Sequence, residues 1–244
     1  MTTVECLNGD CLELMKGLPD KSVDLFLCDL PYGCLKTSAT ECAWDVKIDL
    51  VLFWAEVKRL CKNDHTPVLM FGNMRFGTEL INSNPSWFRY ELVWSKERGT
   101  NFLLANKRPM SSHEFIFVFS KKGSFYNRID IPDETKKADK KKSRVLVNAK
   151  TYGKDIIIPP YVKTDNTRCA VSVIEFIRHQ VYNRHPTAKP VSLLTWLIER
   201  YSNEGDTVLD PTAGSFNSGR AAVELGRNYI GIEMDKEFFD KNKL

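Results

Sequence analysis

The chain has 244 residues, of which 43% are hydrophobic, 11% aromatic and 27% charged, with a formal net charge of +4. That length and apolar content support one large core without disulfides or metal, and exclude disorder as the general state. No run approaches the roughly 20 apolar residues of a membrane span, and residues 1–5 have neither the basic start nor the apolar stretch of an export signal.

In chain order, residues 23–28 form a short apolar run that reads as a buried strand, ending at Asp29-Leu30-Pro31-Tyr32-Gly33. Residues 50–61 carry Val51, Phe53, Trp54, Val57 and Leu60 at helical spacing. Residues 67–71 are the next strand, stopped by Gly72-Asn73, and residues 91–94 and 114–119 are two more, joined by an irregular polar connection. From Ser120 the character changes. Residues 136–142 have no apolar face, and residues 156–160 are a short apolar stretch closed by two prolines. Regular pattern resumes with a helix over 191–201, a strand at 207–209, a helix over 218–225 and a strand at 229–232. The implied fold class is α/β, a mostly parallel sheet with helices. One core is formed by residues 1–120 and 185–244, with an insertion at 121–184.

Charge marks the same insertion. Residues 121–170 hold 13 Lys/Arg against 6 Asp/Glu, a surplus of +7, while the remainder holds 22 against 25. The seven cysteines are scattered, with no pair two residues apart, and four histidines complete no ligand set. No metal site is expected, and the thiols read as reduced and cytosolic. Cys6 and Cys28 read as small core residues, and Trp44, Trp54, Trp94 and Trp196 as packing residues.

Two loops carry chemistry. Asp210-Pro211-Thr212-Ala213-Gly214-Ser215 follows one strand and opens a helix, and the next strand ends in Glu233. In open α/β sheets ligands bind at that edge, and a strand-end carboxylate can accept hydrogen bonds from ribose hydroxyls. There is no dense glycine run and no Gly-Lys-Ser/Thr, which favours a nucleoside-type ligand over a nucleoside triphosphate. The second loop, Asp29-Leu30-Pro31-Tyr32, offers what an exocyclic amine on a base needs. Asp29 can accept a hydrogen bond from the amine, the Leu30 carbonyl fixed by Pro31 can accept the second, and Tyr32 can stack on the ring.

These motifs resemble the beta group of S-adenosylmethionine-dependent DNA amino-methyltransferases, in which the catalytic motif comes first, target recognition lies in the middle and the cofactor loop comes last. Asp29-Leu30-Pro31-Tyr32 is similar to the family's Asp-Pro-Pro-Tyr, with Leu30 for the first proline. The stretch from Asp210 to Ser215 is similar to Asp-Pro-Phe-x-Gly-Ser-Gly, with Thr212 for phenylalanine and Phe216 for the last glycine. Residues 8–13, Trp44-Asp45, His113-Glu114 and residues 185–190 match in the same order. The resemblance implies a circularly permuted Rossmann-like methyltransferase fold. It places Asp10 near the cofactor adenine, and Thr187 and Lys189 at the methionine carboxylate. Asp210, Pro211, Thr212, Ala213, Gly214 and Ser215 form the cofactor loop, and Glu233 holds the ribose.

The implied function is methyl transfer to N6 of an adenine flipped out of double-stranded DNA. Asp at the first motif position resembles the adenine enzymes; cytosine-N4 enzymes more often carry Ser. The alternatives are cytosine-N4 methylation and a catalytically silent DNA-binding relative, with RNA or protein-amide methylation ranked below. The insertion falls at the target-recognition position. Lys136, Lys137, Lys140, Lys141, Lys142 and Arg144 are candidate phosphate contacts, and Arg98, Lys107 and Arg108 flank them from the loop between the strands at 91–94 and 114–119. His113 and His185 read as orienting or buried hydrogen-bonding residues. The resemblance admits a homodimer and a cognate restriction endonuclease as partners, in the cytoplasm of a bacterium or, for a virus-encoded enzyme, of its host. Few residues follow Phe239, so a weakened closure of the cofactor pocket is expected there.

Overall fold

The structure is a computed structural model that describes residues 2–33, 45–100, 102–132, 146–147, 156–157, 167–177 and 188–244. The chain begins β1 (Val4–Asn8), α1 (Cys11–Lys16), β2 (Leu25–Cys28), α2 (Leu50–Leu60), β3 (Val68–Gly72) and α3 (Met74–Ser83). A long hairpin follows, β4 (Phe88–Thr100) and β5 (Ser111–Phe119), with a short 3-10 turn at Phe102–Leu104 in its connection. Four two-residue strands come next: β6 (Ile131–Pro132), β7 (Leu146–Val147), β8 (Ile156–Ile157) and β9 (Thr167–Arg168). The chain ends with β10 (Val173–Glu175), α4 (Val191–Tyr201), β11 (Thr207–Asp210), α5 (Asn217–Glu224), β12 (Asn228–Glu233) and α6 (Lys236–Asn242).

Every residue of β2 and β3 is buried, the pattern of parallel strands covered on both faces. Alternation divides them. Phe26, Cys28, Val68 and Met70 join a core with Met15 of α1, Phe53, Trp54, Val57 and Leu60 of α2, and Phe76 and Leu80 of α3. Leu25, Leu27, Leu69 and Phe71 join the opposite core, with Leu193, Leu194, Leu197 and Ile198 of α4 and Ala221 and Ala222 of α5. Side-chain caps set several helix starts: Asp10 accepts from the Leu12 and Glu13 amides, Asp49 from Val51 and Leu52, and Asn73 from Phe76.

The main sheet has eight strands in the order β1-β12-β11-β2-β3-β5-β4-β10. All neighbours run parallel except β5, which is antiparallel to both β3 and β4. The permutation is visible in the pairing: β1, first in the chain, lies beside β12, and β11 lies beside β2. Asp10, Asp29, Asp210 and Glu233 therefore reach the same carboxyl edge of the sheet from elements at opposite ends of the chain. Because β5 is reversed, its first residues, including Glu114, start from that edge as well; Trp94 of β4 is paired with Glu114.

Residues 2–127 and 172–244 contain this sheet, and residues 128–171 form a second compact unit, within which β6 pairs with β9 and β7 with β8, both antiparallel. The insertion is thus narrower than the expected 121–184. Lys121 and Lys122 form ion pairs with Asp64, Asn127 donates its amide to Arg200, and β10 extends the main sheet. The sequence pattern also missed α1 and α3, and understated the β4–β5 hairpin. The segment after Glu233 forms α6, whose Phe239 packs edge-on against Phe216 at 6.0 Å.

Candidate active site

A cavity of about 860 Å³ opens along the carboxyl edge of the sheet. It is lined by Asp10, all four residues Asp29, Leu30, Pro31 and Tyr32, Lys189, Asp210 through Ser215, and Glu233. The expected site residues therefore come together, except Thr187, which lies outside the described residues with Trp44 and His185. The six candidates between Lys136 and Arg144 also lie outside them. Arg98 belongs to strand β4 and not to a loop; it is exposed, as are Lys107 and Arg108 beyond the 3-10 turn.

At one end of the cavity, β2 ends at Cys28 and delivers Asp29. The Tyr32 hydroxyl donates to Asp29 Oδ1 at 3.0 Å, and the Tyr32 ring is backed by Phe76, with centroids 5.0 Å apart and planes 28° from parallel. Asp45 steadies the same turn by accepting from the Gly33 amide at 2.9 Å. The other Asp29 oxygen, Oδ2, lies 2.5 Å from Lys189 Nζ. The Lys189 ammonium thus faces the catalytic-loop carboxylate, and its backbone carbonyl accepts from Asn217 Nδ2 of the helix after the cofactor loop.

Sequence reasoning missed the two partners behind Lys189. Glu114 Oε2 lies 3.6 Å from Lys189 Nζ, and Glu114 Oε1 pairs with Lys96, which is itself buried over the Trp94 ring. Burial by itself would lower the Lys189 pKa, but Asp29 and Glu114 outweigh it and hold the ammonium above its usual value. Burial would raise Glu114, yet Lys189 and Lys96 hold it below the usual carboxylate range. A signal for Lys96 was present: it lies two and four residues after Trp94 and Leu92, on their buried face of the strand. Of the two readings for His113, orienting or buried, burial does not apply: it is exposed, with its ring edge-on to Phe115.

At the other end, β11 delivers Asp210 and β12 delivers Glu233. Asp210 accepts from the Thr212 amide at 3.1 Å and from the Ser218 hydroxyl, which is also within 2.9 Å of the Tyr229 hydroxyl. Glu233 accepts from the Gly214 amide at 2.8 Å and the Asp235 amide at 2.7 Å. Gly214 presents its N–H from a left-handed backbone (φ 51°), where a side chain would be strained. Phe216 has the same conformation (φ 53°), which accounts for the glycine in the motif it resembles. Here the strain is offset by burial, since the ring is fully enclosed. No cation pairs with Asp210 or Glu233 among the described residues. Burial pushes Asp210 up to about 7 and raises Glu233 as well. Asp10 lines this end, but one of its oxygens is committed to capping α1.

No group of three or more His, Cys, Asp or Glu among the described residues could hold a metal ion. The thiols of Cys11 and Cys61 are pushed up to about 12 by burial, and burial raises Cys28 well above its usual value, so none of the three is a ready nucleophile.

A profile of the N6/N4 DNA methylase family matches residues 23–243. The chain belongs to that family. The methylase is 32% identical over 248 residues to the DNA adenine methyltransferase YhdJ of Escherichia coli, an alignment covering 95% of this chain and 79% of the relative. It is 29% identical over 258 residues to the type II methyltransferase M.HinfI of Haemophilus influenzae, covering 96% of this chain and 66% of that protein. Among solved structures, the M1.HpyAVI–SAM complex superimposes with a TM-score of 0.62 at 20% identity, covering 98% of this chain and 97% of the other. The cytosine-N4-specific PvuII DNA methyltransferase gives 0.66 at 17% identity, with 99% and 86% covered. At those identities the structural matches establish the shared α/β methyltransferase fold of the methylase. None of its helices in the described residues is long and apolar enough to cross a membrane.

Proposed function

We infer that the chain transfers the methyl group of S-adenosylmethionine to N6 of an adenine in double-stranded DNA. The observation that carries this reading is a single cavity with Asp29, Pro31 and Tyr32 at one end and Asp210, Gly214 and Glu233 at the other. Adenine is favoured over cytosine because YhdJ, the relative that is 32% identical, is named as an adenine enzyme, whereas the likeness to the cytosine-N4 enzyme is one of fold.

The residues present fit the cofactor. Two carboxylates without a cation suit a ligand that bears positive charge and hydroxyl donors, and the buried Thr212 Oγ1 has no hydrogen-bond partner among the described residues. Glu233 would hold the ribose, and the turn from Asp210 to Ser215 would surround the methionine portion. When bound, S-adenosylmethionine supplies an electrophilic methyl on a positively charged sulfur.

The chain's own residues do the rest. A base inside a duplex hides its amine, so the target must be extruded into the cavity. Tyr32, backed by Phe76, provides a fixed aromatic face for it. Asp29 accepts a hydrogen bond from the amine and the Leu30 carbonyl accepts the second, which keeps the nitrogen lone pair directed at the methyl. Leu30 can hold that backbone position because its side chain is anchored in the core. The transfer is direct and needs no covalent enzyme intermediate, in keeping with the suppressed thiols. The Lys/Arg surplus of residues 121–170 supplies phosphate contacts.

Incubation of the full chain with unmethylated DNA and methyl-labelled S-adenosylmethionine, followed by nucleoside analysis, tests the reading. N6-methyladenine is the expected product; N4-methylcytosine alone, or no labelled nucleoside, overturns it.

A further inference from the structure

A chain of partly buried charges ends on Asp29. It runs Lys96–Glu114–Lys189–Asp29, alternating in sign and summing to zero, and joins β4, β5, the segment before α4 and the loop after β2. Lys96 and Lys189 are both below a tenth exposed, and Lys189 also lies over the Phe71 ring at 5.0 Å. Enclosed ion pairs are a poor source of stability, because desolvation consumes most of their attraction and apolar residues of similar size do as well. Two buried lysines alternating with two half-buried carboxylates at a reaction cavity therefore point to a use in the reaction.

The geometry at Asp29 indicates that use. Lys189 takes Oδ2 while Oδ1 is turned to the Tyr32 hydroxyl, so the two oxygens of one carboxylate have different partners. A carboxylate held at Oδ2 by an ion pair keeps Oδ1, the oxygen that accepts from Tyr32, on the side of the cavity. Lys189 is in turn flanked by two anions, and Glu114 is kept anionic by two cations. Deleting Glu114 would leave Lys96 and Lys189 as neighbouring buried cations with one anion between them and the cavity.

We propose that Lys189, braced by Glu114 and Lys96, is a positioning residue that locks the Asp29 carboxylate with Oδ1 facing the target amine, and that its side chain does not serve as a ligand of the cofactor's methionine carboxylate. The proposal rests on the reading of Asp29 as the group that holds the amine.

The test compares kcat at saturating DNA and S-adenosylmethionine with the calorimetric Kd for S-adenosylmethionine, in the wild type and in Lys189→Met, Glu114→Gln and Lys189→Arg. A carboxylate misplaced by about 1 Å should lower kcat about 100-fold in Lys189→Met. The Kd should stay within about threefold, and Lys189→Arg should recover part of kcat by restoring the charge. Because Lys189→Met leaves Asp29 and Glu114, two partly buried anions, without the cation between them, a second variant removes the outer pair together. Lys96→Met with Glu114→Gln keeps the charge balance and should lower kcat about tenfold, again at constant Kd. That double variant decides the matter if Lys189→Met does not fold. A Kd raised tenfold or more with kcat retained would make Lys189 a cofactor ligand and overturn the proposal, as would kcat unchanged in the variants. A wild type that forms no N6-methyladenine overturns the methyl-transfer reading, and the positioning role falls with it; active wild type with fully active variants overturns the positioning role only.

Discussion

The two ends of the cavity solve the same electrostatic problem in opposite ways. Both place a strand-end carboxylate in an environment from which water is largely removed. At the Asp29 end the protein supplies its own cations, and Glu114 is held below the usual range despite its burial. At the Asp210–Glu233 end the described residues supply only amide and hydroxyl donors, and both carboxyls are raised, Asp210 to about 7. Neutral donors cannot offset burial of an anion as a nearby cation does. One end is thus complete and held in place from within, while the other keeps unneutralised negative charge for a ligand that brings the positive charge.

The largest effect should come from breaking the complete end. Asp29→Ala should reduce methyl transfer by about 10³-fold or more, as loss of a directed polar contact at a reacting group does, while calorimetry shows S-adenosylmethionine still bound. Retained turnover would remove the division of labour between the ends. Beyond the cavity, replacing Lys140, Lys141 and Lys142 together by Ala should reduce the slope of log affinity for DNA against log salt by about 2.7. An unchanged slope would show that these charges meet no phosphate.

At the ligand-facing end, Phe216→Gly separates strain from burial. Loss of a buried aromatic costs about 3–5 kcal/mol and relief of the left-handed backbone returns about 1–2 kcal/mol, so a net loss of about 1–4 kcal/mol is expected in urea unfolding. A stabilised variant would mean the strain outweighs the packing. Glu233→Gln should weaken S-adenosylmethionine by about tenfold with kcat at saturation retained, since one charge-assisted acceptor is lost and a donor is set against the Gly214 or Asp235 amide.

A further effect, read in the pH dependence of stability, concerns Asp210. Its carboxyl titrates higher in the fold than in the unfolded chain, where the ordinary value is 3.8. The protonated form is therefore favoured by folding. That contribution is fully present below about pH 4 and is lost as pH rises toward 7. Asp29 and Glu233 add to the upward shift, while the Ser218 hydroxyl and Thr212 amide oppose it. Asp210→Asn should flatten this segment of the stability-against-pH curve; an unaltered slope would show that Asp210 ionises as readily as an exposed carboxylate.

Much of this architecture was legible in the chain because the relevant patterns are local. Phe26 and Leu27 alternate between two cores within one short strand, and Phe53, Trp54 and Val57 mark one side of α2 through spacing alone. Asp29, Asp210 and Glu233 stand directly after apolar runs, so a parallel sheet brings them to one edge whatever the details of packing. Short elements were harder. The six residues of α1 and the polar ends of the β4–β5 hairpin contain too few periods for a pattern to emerge.

Other features belong to the folded molecule alone. The reversal of β5 is what starts Glu114 from the cavity edge, and nothing in its nine residues states the direction in which it pairs. Lys189 and Asp29 are 160 positions apart, and their contact exists because α4 packs over strands contributed by the other half of the chain. Hydrophobic periodicity is a property of neighbours along the backbone, so it reports strands, helices and the carboxylates that follow them. Which cation neutralises which anion depends on strand order and register across the whole sheet, and only the assembled sheet could pair Asp29 with Lys189 while giving Asp210 and Glu233 no cation among the described residues.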